Sequence, residues 1–121
     1  MAERRISIRF DLASGPRIGP GKIILLEAIA ETGSISAAAR RLGMSYRKAW
    51  LLIDAFNKTF NQPVISTETG GEQGGGAKLT DTGREVIRLF KQLETKAASA
   101  TESTLLAFDK LVDAAPSSKK K

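Results

Sequence analysis

The sequence contains no histidine and no cysteine among its 121 residues. These absences exclude thiol nucleophiles, Ser-His and Cys-His catalytic pairs, His/Cys zinc sites and disulfide bonds. Long apolar runs are also missing, since runs such as residues 23–26 are far shorter than the roughly 20 residues of a membrane span. The sequence therefore predicts a soluble intracellular protein that is not an enzyme and has no cofactor, metal site or membrane segment.

Acidic residues are scarce in one part of the chain. The formal net charge is +6, and the first 60 residues carry ten basic and five acidic side chains against nine and eight in the remainder. No acidic residue lies between Glu31 and Asp54. An acid-free basic segment is typical of a surface that binds a polyanion, although charge alone fits a solvated face equally well. The basic residues of this segment are Arg40, Arg41, Arg47 and Lys48.

The apolar pattern of the first half predicts one strand followed by three helices. Residues 6–12 alternate between apolar and polar, which predicts a half-buried strand, and the Gly/Pro-rich residues 13–21 predict a loop. Gly33 is suited to the end of the first helix, while Ser34 and Ser45 are suited to cap the second and third. The predicted buried face of the third helix consists of Ala49, Trp50, Ile53, Phe56 and Phe60.

The second half predicts a hairpin and a long helix. Residues 64–69 are rich in β-branched side chains and predict a strand, and residues 77–80 predict a short return strand. Five glycines lie in the intervening residues 70–76. A final helix is predicted to begin after a cap at Thr80 or Asp81, with a bend or break near residues 99–104 where the apolar pattern loosens. The fold class is therefore mainly α with a small β element.

The final helix carries an apolar seam. The apolar positions from Val86 to Ala100 are spaced 4, 3, 4 and 3 residues apart, as in a coiled coil. A helix of some 30 residues would span about 45 Å, which is more than one small domain can cover. We therefore predict symmetric pairing through this seam, although packing within the monomer is an alternative. The predicted dimer contacts are Val86, Phe90, Leu93, Ala97, Ala100 and Phe108.

A helix-turn-helix is predicted from the second and third helices. A short helix, a tight turn at Gly43 and a longer amphipathic helix are the parts of this motif, which places the start of its second helix in the DNA major groove. Arg47 has the geometry to bind a guanine edge, and Ser45, Tyr46 and Lys48 are suited to phosphates or base edges. Tyr46 could instead pack across the turn. Trp50 is predicted to turn into the core.

Two separated motifs resemble a known family. The first comprises residues 32–36 together with Ala38, Ala39, Gly43, Ser45, Tyr46, Ala49 and Trp50. The second comprises Thr69, Gly70, Gly71, residues 74–76, Leu79, Thr80 and Gly83. Together they resemble the helix-turn-helix, glycine-rich wing and helix entry of the N-terminal domain of ModE, the molybdate-responsive transcription regulator. The first motif in part also resembles LysR-type winged helices, and the resemblance covers about residues 5–112.

The resemblance implies a winged helix-turn-helix at residues 1–80, a dimerisation helix at 81–114 and a disordered basic tail at 115–121. It implies a regulator that binds a palindromic operator in double-stranded DNA as a homodimer, in the bacterial cytoplasm and on the nucleoid, with a link to molybdenum. In full-length family members molybdate-binding domains follow this region, so we expect no molybdate site in this chain. The candidate DNA-binding residues are Ser34, Ser36, Arg40, Arg41, Ser45, Tyr46, Arg47, Lys48, Thr67, Thr69, Gly70, Gly71, Gly74, Gly75 and Lys78.

These motifs also fit two other interpretations. A winged helix could use its basic face to dock an acidic protein, and only sequence preference in DNA binding would separate the two functions. The spacing of Gly71 and Gly76 matches the start of a Walker A motif, but Ala77 stands where lysine must follow. The glycine run is therefore interpreted as the tip of a wing whose backbone can approach DNA, or as a disordered hairpin tip.

Overall fold

The computed structural model describes residues 5–13, 15–68 and 76–113 of the 121-residue chain. The described chain is mainly helical, with two small antiparallel sheets, which confirms the predicted fold class. None of the helices in the described ranges is both long and apolar enough to cross a membrane. The elements are β1 (Phe10–Asp11), β2 (Arg17–Ile18), α1 (Pro20–Thr32), α2 (Ile35–Leu42), α3 (Tyr46–Thr59), β3 (Ile65–Glu68), β4 (Gly76–Leu79) and α4 (Asp81–Asp113).

Helix α1 lies at the centre of the core. Pro20 occupies its first turn, where the missing N–H costs nothing because that group has no helical partner. The helix ends at Gly33, whose φ of 76° is left-handed and whose N–H donates to the Ile29 carbonyl at 2.8 Å. Leu26 and Ile29 are fully buried. Helices α2 and α4 and strand β4 pack against this helix, and α3 packs against α2.

The predicted N-terminal strand is much shorter than expected. β1 contains two residues, Phe10 and Asp11, which pair with Ile18 and Arg17 of β2. The prediction of a strand over residues 6–12 is therefore wrong in extent, and the predicted loop at 13–21 contains β2 and the start of α1. The alternation at Ile8, Phe10 and Leu12 instead reflects side chains that pack against the core along a mostly unpaired segment.

The second sheet forms the described part of the wing. β3 and β4 pair antiparallel, with Ile65 opposite Leu79 and Glu68 opposite Gly76. This hairpin confirms the predicted strands, and residues 69–75 at its tip lie outside the described ranges. Ala77 of β4 donates its backbone N–H to the Gly33 carbonyl at 2.9 Å. The wing is therefore joined directly to the turn between α1 and α2.

Helix α4 is a single 33-residue helix, so the prediction of a break near residues 99–104 is wrong. Thr80 caps it, since its hydroxyl accepts a hydrogen bond from the Gly83 N–H at 3.0 Å. At 1.5 Å per residue the helix spans about 50 Å. Its first three turns pack on the domain, and Lys91 pairs with Glu27 of α1 at 3.3 Å. The large apolar side chains that stay exposed along it include Leu93, Leu106, Phe108, Leu111 and Val112.

One predicted dimer contact belongs to the monomer core. Phe90 is 3% exposed, and its ring stacks on Phe10 with a centroid separation of 6.4 Å. Val86 is half-buried against the same core. The domain itself therefore covers Phe90, and the seam passes from the domain core to the free part of the helix between Phe90 and Leu93. The apolar periodicity of the sequence does not show which turns of α4 are buried within the monomer and which are exposed.

Candidate nucleic-acid interface

Helices α2 and α3 form the predicted helix-turn-helix. The Ser34 hydroxyl caps α2 by accepting from the Ala37 N–H at 2.9 Å. Gly43 ends α2 with a left-handed φ of 70°, a conformation that residues with a side chain rarely adopt. The Met44 N–H donates a hydrogen bond to the Ala39 carbonyl at 3.0 Å. The two helices approach closely because small residues stand between them, all buried: Ala38, Ala39 and Ala49.

The first turn of α3 presents polar and basic side chains to solvent. The Ser45 hydroxyl accepts from the Lys48 N–H at 3.0 Å, which confirms the predicted cap. Tyr46, Arg47 and Lys48 are exposed, so the alternative that Tyr46 packs across the turn is not what the structure shows. The N-terminus of a helix carries a partial positive charge, and two cations add to it here. This turn is suited to a polyanion.

The basic side chains of the acid-free segment differ in their partners. Arg41 forms an ion pair with Glu31 of α1, and Glu31 partly neutralises its charge. Arg40 makes one long contact, 3.5 Å from its Nη1 to the Ser36 hydroxyl. No described carboxylate pairs with Arg40, Arg47 or Lys48. These three cations are therefore available to a ligand.

The prediction that Trp50 lies in the core is wrong. Trp50 is 44% exposed, and the next residue, Leu51, is 47% exposed. The buried stripe of α3 is formed by Ala49, Ile53 and Phe56, spaced 4 and 3 residues apart. Because a helix turns by about 100° per residue, Trp50 lies beyond the edge of that stripe. Sequence reasoning also missed Leu51, although its spacing of four from Arg47 places it on the exposed face.

The described wing residues lie on two faces of the hairpin. Thr67 pairs with Ala77 and Ser66 pairs with Lys78. Paired residues share one face of an antiparallel ribbon and neighbours along a strand alternate, so Thr67 and Lys78 point to opposite faces. Both are exposed. The other predicted wing contacts, Thr69, Gly70, Gly71, Gly74 and Gly75, lie outside the described residues.

A second basic cluster was missed by sequence reasoning. Arg9, Arg17 and Lys22 line a shallow cavity of about 300 Å³ beside the start of α1. Burial, and then the charge of Arg17, lowers the pKa of the Lys22 ammonium. Arg17 also donates to Asp11 at 2.7 Å, and this bond lowers the pKa of the Asp11 carboxyl. The cluster is not evident in the sequence because Arg9, Arg17 and Lys22 share no helical or strand spacing, and the hairpin β1–β2 brings them together.

Asn57 fixes the wing to the C-terminal part of α3. Its side-chain Oδ1 accepts from the backbone N–H groups of Val64 at 2.8 Å and Ile65 at 3.2 Å. Its Nδ2 donates to the Ile65 carbonyl at 3.1 Å. One side chain therefore satisfies three backbone groups at the start of β3. This arrangement sets the position of the wing relative to the exposed turn of α3.

Replacing Asn57 by Ala is expected to destabilise the domain by about 1–2 kcal/mol, because part-buried backbone groups lose their partners. Urea unfolding followed by circular dichroism measures this change. Asn61→Ala is the matched control, since that asparagine is exposed and should alter stability by less than about 0.5 kcal/mol. Equal stability of the two variants would contradict the role assigned to Asn57.

The fold and the site define a winged helix-turn-helix protein with an exposed, basic second helix. The chain belongs to the bacterial regulatory helix-turn-helix protein, lysR family, whose family model matches residues 21–84. The CbnR_DBD–DNA complex, a solved crystal structure, shares this fold: it has 20% sequence identity and a TM-score of 0.53, and the match covers 72% of this chain and 94% of that one.

Curated relatives confirm the resemblance to ModE. The molybdenum-pterin-binding protein MopA of Rhodobacter capsulatus is 40% identical over 104 residues, which cover 84% of this chain and 39% of MopA. The DNA-binding transcriptional dual regulator ModE of Escherichia coli K12 is 41% identical over 81 residues, which cover 64% of this chain and 31% of that protein. The chain thus spans between about three-tenths and two-fifths of the length of these relatives.

Proposed function

We propose that the chain is a sequence-specific, DNA-binding transcriptional regulator of the ModE type. The observation that carries the proposal is the first turn of α3, where a capped helix start presents exposed Tyr46, Arg47 and Lys48 and neither cation has a described carboxylate partner. The major groove admits an α-helix, and phosphates flank it on both sides. This turn therefore enters the groove with α2 against the backbone.

The side chains of the site have separable roles. Arg47 offers a forked donor to the two acceptors of a guanine edge. Ser45 accepts the Lys48 N–H, so its hydroxyl proton remains available for a phosphate or base acceptor. Ser36 and Arg40 on the exposed side of α2 supply phosphate contacts, as do Ser34 at its start and, less strongly, the partly neutralised Arg41. Thr67 and Lys78 contact the flanking backbone from the wing.

We propose that two copies bind one palindromic operator. From Leu93 onward, α4 exposes large apolar side chains that no described part of the monomer covers. A second copy of the same helix would cover them, with Leu93, Ala97, Ala100 and Phe108 in the contact. The two DNA-binding domains, related by a two-fold axis, then face half-sites that are separated by about one helical turn of DNA or a multiple of it.

The biological setting is proposed from the relatives. MopA is named for molybdenum-pterin binding and the Escherichia coli relative as a transcriptional dual regulator. We propose that this chain regulates genes of molybdenum uptake or of the molybdenum cofactor. Such a regulator acts on the bacterial chromosome, which places it in the cytoplasm and on the nucleoid.

The test is selection of bound sequences from random duplex DNA by the purified chain. The proposal expects an enriched sequence with two inverted half-sites. It also expects binding that weakens with salt, because phosphate contacts release counterions. Recovery of no preferred sequence, with salt-independent binding, would contradict it and favour the docking of an acidic protein.

Arg47 and Arg40 are expected to act differently on DNA. Arg47→Ala should weaken binding to the selected operator about tenfold and binding to scrambled DNA much less, because a base contact is lost. Arg40→Ala should weaken binding to operator and scrambled DNA alike. It should also reduce the slope of log affinity against log salt concentration by about one unit. Fluorescence anisotropy at several salt concentrations measures both effects.

Arg88→Ala is the control for this pair, since Arg88 forms an ion pair with Glu85 on α4. It should leave affinity and salt dependence close to those of the wild type. Equal losses on operator and scrambled DNA for Arg47→Ala would show that Arg47 reads no base.

A further inference from the structure

An exposed apolar pair stands on the solvent-facing side of α3. Trp50 and Leu51 are 44% and 47% exposed, and neither is among the side chains that pack against the core. Each lies four residues after a member of the first turn, Trp50 after Tyr46 and Leu51 after Arg47. Side chains four apart on a helix are neighbours, so the apolar pair continues the basic and polar surface by one turn.

The pair has no explanation in the stability of the monomer. Burying large apolar side chains is what stabilises a domain, and these two remain in water beside unpaired cations. The nearest acid further along the same face, Asp54, is paired with Lys58 at 3.0 Å. The exposed face of α3 is thus apolar at its centre and has a net positive charge around it. Such a face is complementary to a polyanion whose groove contains an apolar group.

We infer that Trp50 and Leu51 read thymine through its C5-methyl group, an inference that rests on the proposed function. Among the base edges of the major groove, the thymine methyl is the apolar group that an apolar side chain can contact. A helix inserted by its N-terminal end brings its first two turns to the bases. Trp50 and Leu51 stand in the second turn, directly behind the polar residues proposed for hydrogen bonding.

The spacing of the helix places this thymine relative to the base that Arg47 contacts. Four residues advance about 6 Å along the helix axis, and successive base pairs are about 3.4 Å apart. The methyl group should therefore lie within about two base pairs of the position at which Arg47→Ala alters the preference. Arg47 and the apolar pair would then specify neighbouring positions of one half-site.

The test replaces each thymine of the selected operator singly by deoxyuridine, which removes the methyl group and leaves the Watson–Crick edge unchanged. For the wild-type chain, one or two positions in each half-site should weaken binding about fourfold, the equivalent of one buried methyl-sized group. Trp50→Ala or Leu51→Ala should remove the difference between thymine and deoxyuridine at those positions. Trp50→Phe should retain it, because a methyl contact needs an apolar ring and not the indole N–H.

Two further measurements separate this contact from a structural effect. Ile24→Ala removes a similarly exposed apolar side chain from α1 and should leave the deoxyuridine pattern unchanged. Trp50 is the single tryptophan of the chain, so its fluorescence reports on this site alone. Its quenching by acrylamide should fall when the operator is bound, and the melting temperature of Trp50→Ala should stay close to that of the wild type.

The outcomes distinguish failure of this inference from failure of the proposed function on which it rests. If no sequence is enriched from random DNA, the proposed function itself fails. If an operator is found but deoxyuridine changes nothing, or the same positions stay sensitive in Trp50→Ala and in Leu51→Ala, the thymine contact is overturned while DNA binding stands. Loss of discrimination in Trp50→Phe would also overturn it, because the indole N–H would then be the reading group.

Discussion

Truncation of the chain after Leu93 is expected to give a monomer whose affinity for the operator is lower by about 100-fold or more. The truncated domain should remain folded because Phe90, stacked on Phe10, and the Lys91–Glu27 ion pair are retained. What is lost is the free part of α4, which exposes an apolar surface. Without it, the second half-site contact is no longer intramolecular, and its high effective concentration disappears.

A matched pair of double variants tests the same dimer prediction in the untruncated 121-residue chain. Aspartates at Ala97 and Ala100 place two charges on the seam that continues from Leu93 and should give the monomer. Aspartates at Thr95 and Ser99 add the same charge to the opposite side of the helix and should leave the dimer intact. Sedimentation equilibrium measures the assembly. A wild-type chain that sediments as a monomer at tens of micromolar, or a truncated chain with full operator affinity, would contradict the dimer.

Replacement of Gly83 by Ala is expected to be the most destabilising small change in the domain. A Cβ at Gly83 would lie 2.3 Å from the Val64 carbonyl oxygen and 2.6 Å from the Leu79 Cδ1. The carbonyl is backbone and already accepts the Thr80 N–H at 3.0 Å, so it cannot move away without breaking that bond. Overpacking of this kind should cost about 2–3 kcal/mol and lower the melting temperature by about 10 °C.

Gly21→Ala is the control for this substitution. Gly21 lies in the first turn of α1, and a Cβ built there meets nothing within 4 Å. Alanine should therefore be neutral or stabilise the domain by up to about 1 kcal/mol, because it reduces the freedom of the unfolded chain. Thermal unfolding followed by circular dichroism compares the two variants. Similar melting temperatures would show that the contact between α4 and the start of β3 is not tight.

Features determined by neighbours along the chain were predictable from the sequence. Ser34 and Ser45 cap α2 and α3, and Gly43 ends α2, because capping and left-handed turns depend on residues within four positions. The hairpin and the start of α4 follow from the same kind of local signal. The start of α3 was therefore predictable from local signals alone.

Features determined by distant partners were not predictable. Periodicity places Phe90 on the exposed seam and Trp50 in the core, whereas Phe90 is buried and Trp50 is exposed, because periodicity gives the spacing of a stripe but not the identity of what covers it. Glu31 pairs with Arg41 across two helices, ten positions apart. Asn57 has the appearance of an ordinary polar residue near a helix end until β3 is placed beside it.

The central claim is that the exposed first turn of α3 reads DNA sequence. The most direct test is the ratio of dissociation constants for the selected operator and a scrambled duplex of equal length and composition, measured by anisotropy at about 0.15 M salt. Specific regulators prefer their sites by about 10³-fold or more. The account predicts a ratio of that order for the wild type and a ratio reduced about tenfold in Arg47→Ala. Equal affinity of the wild type for both duplexes would contradict it.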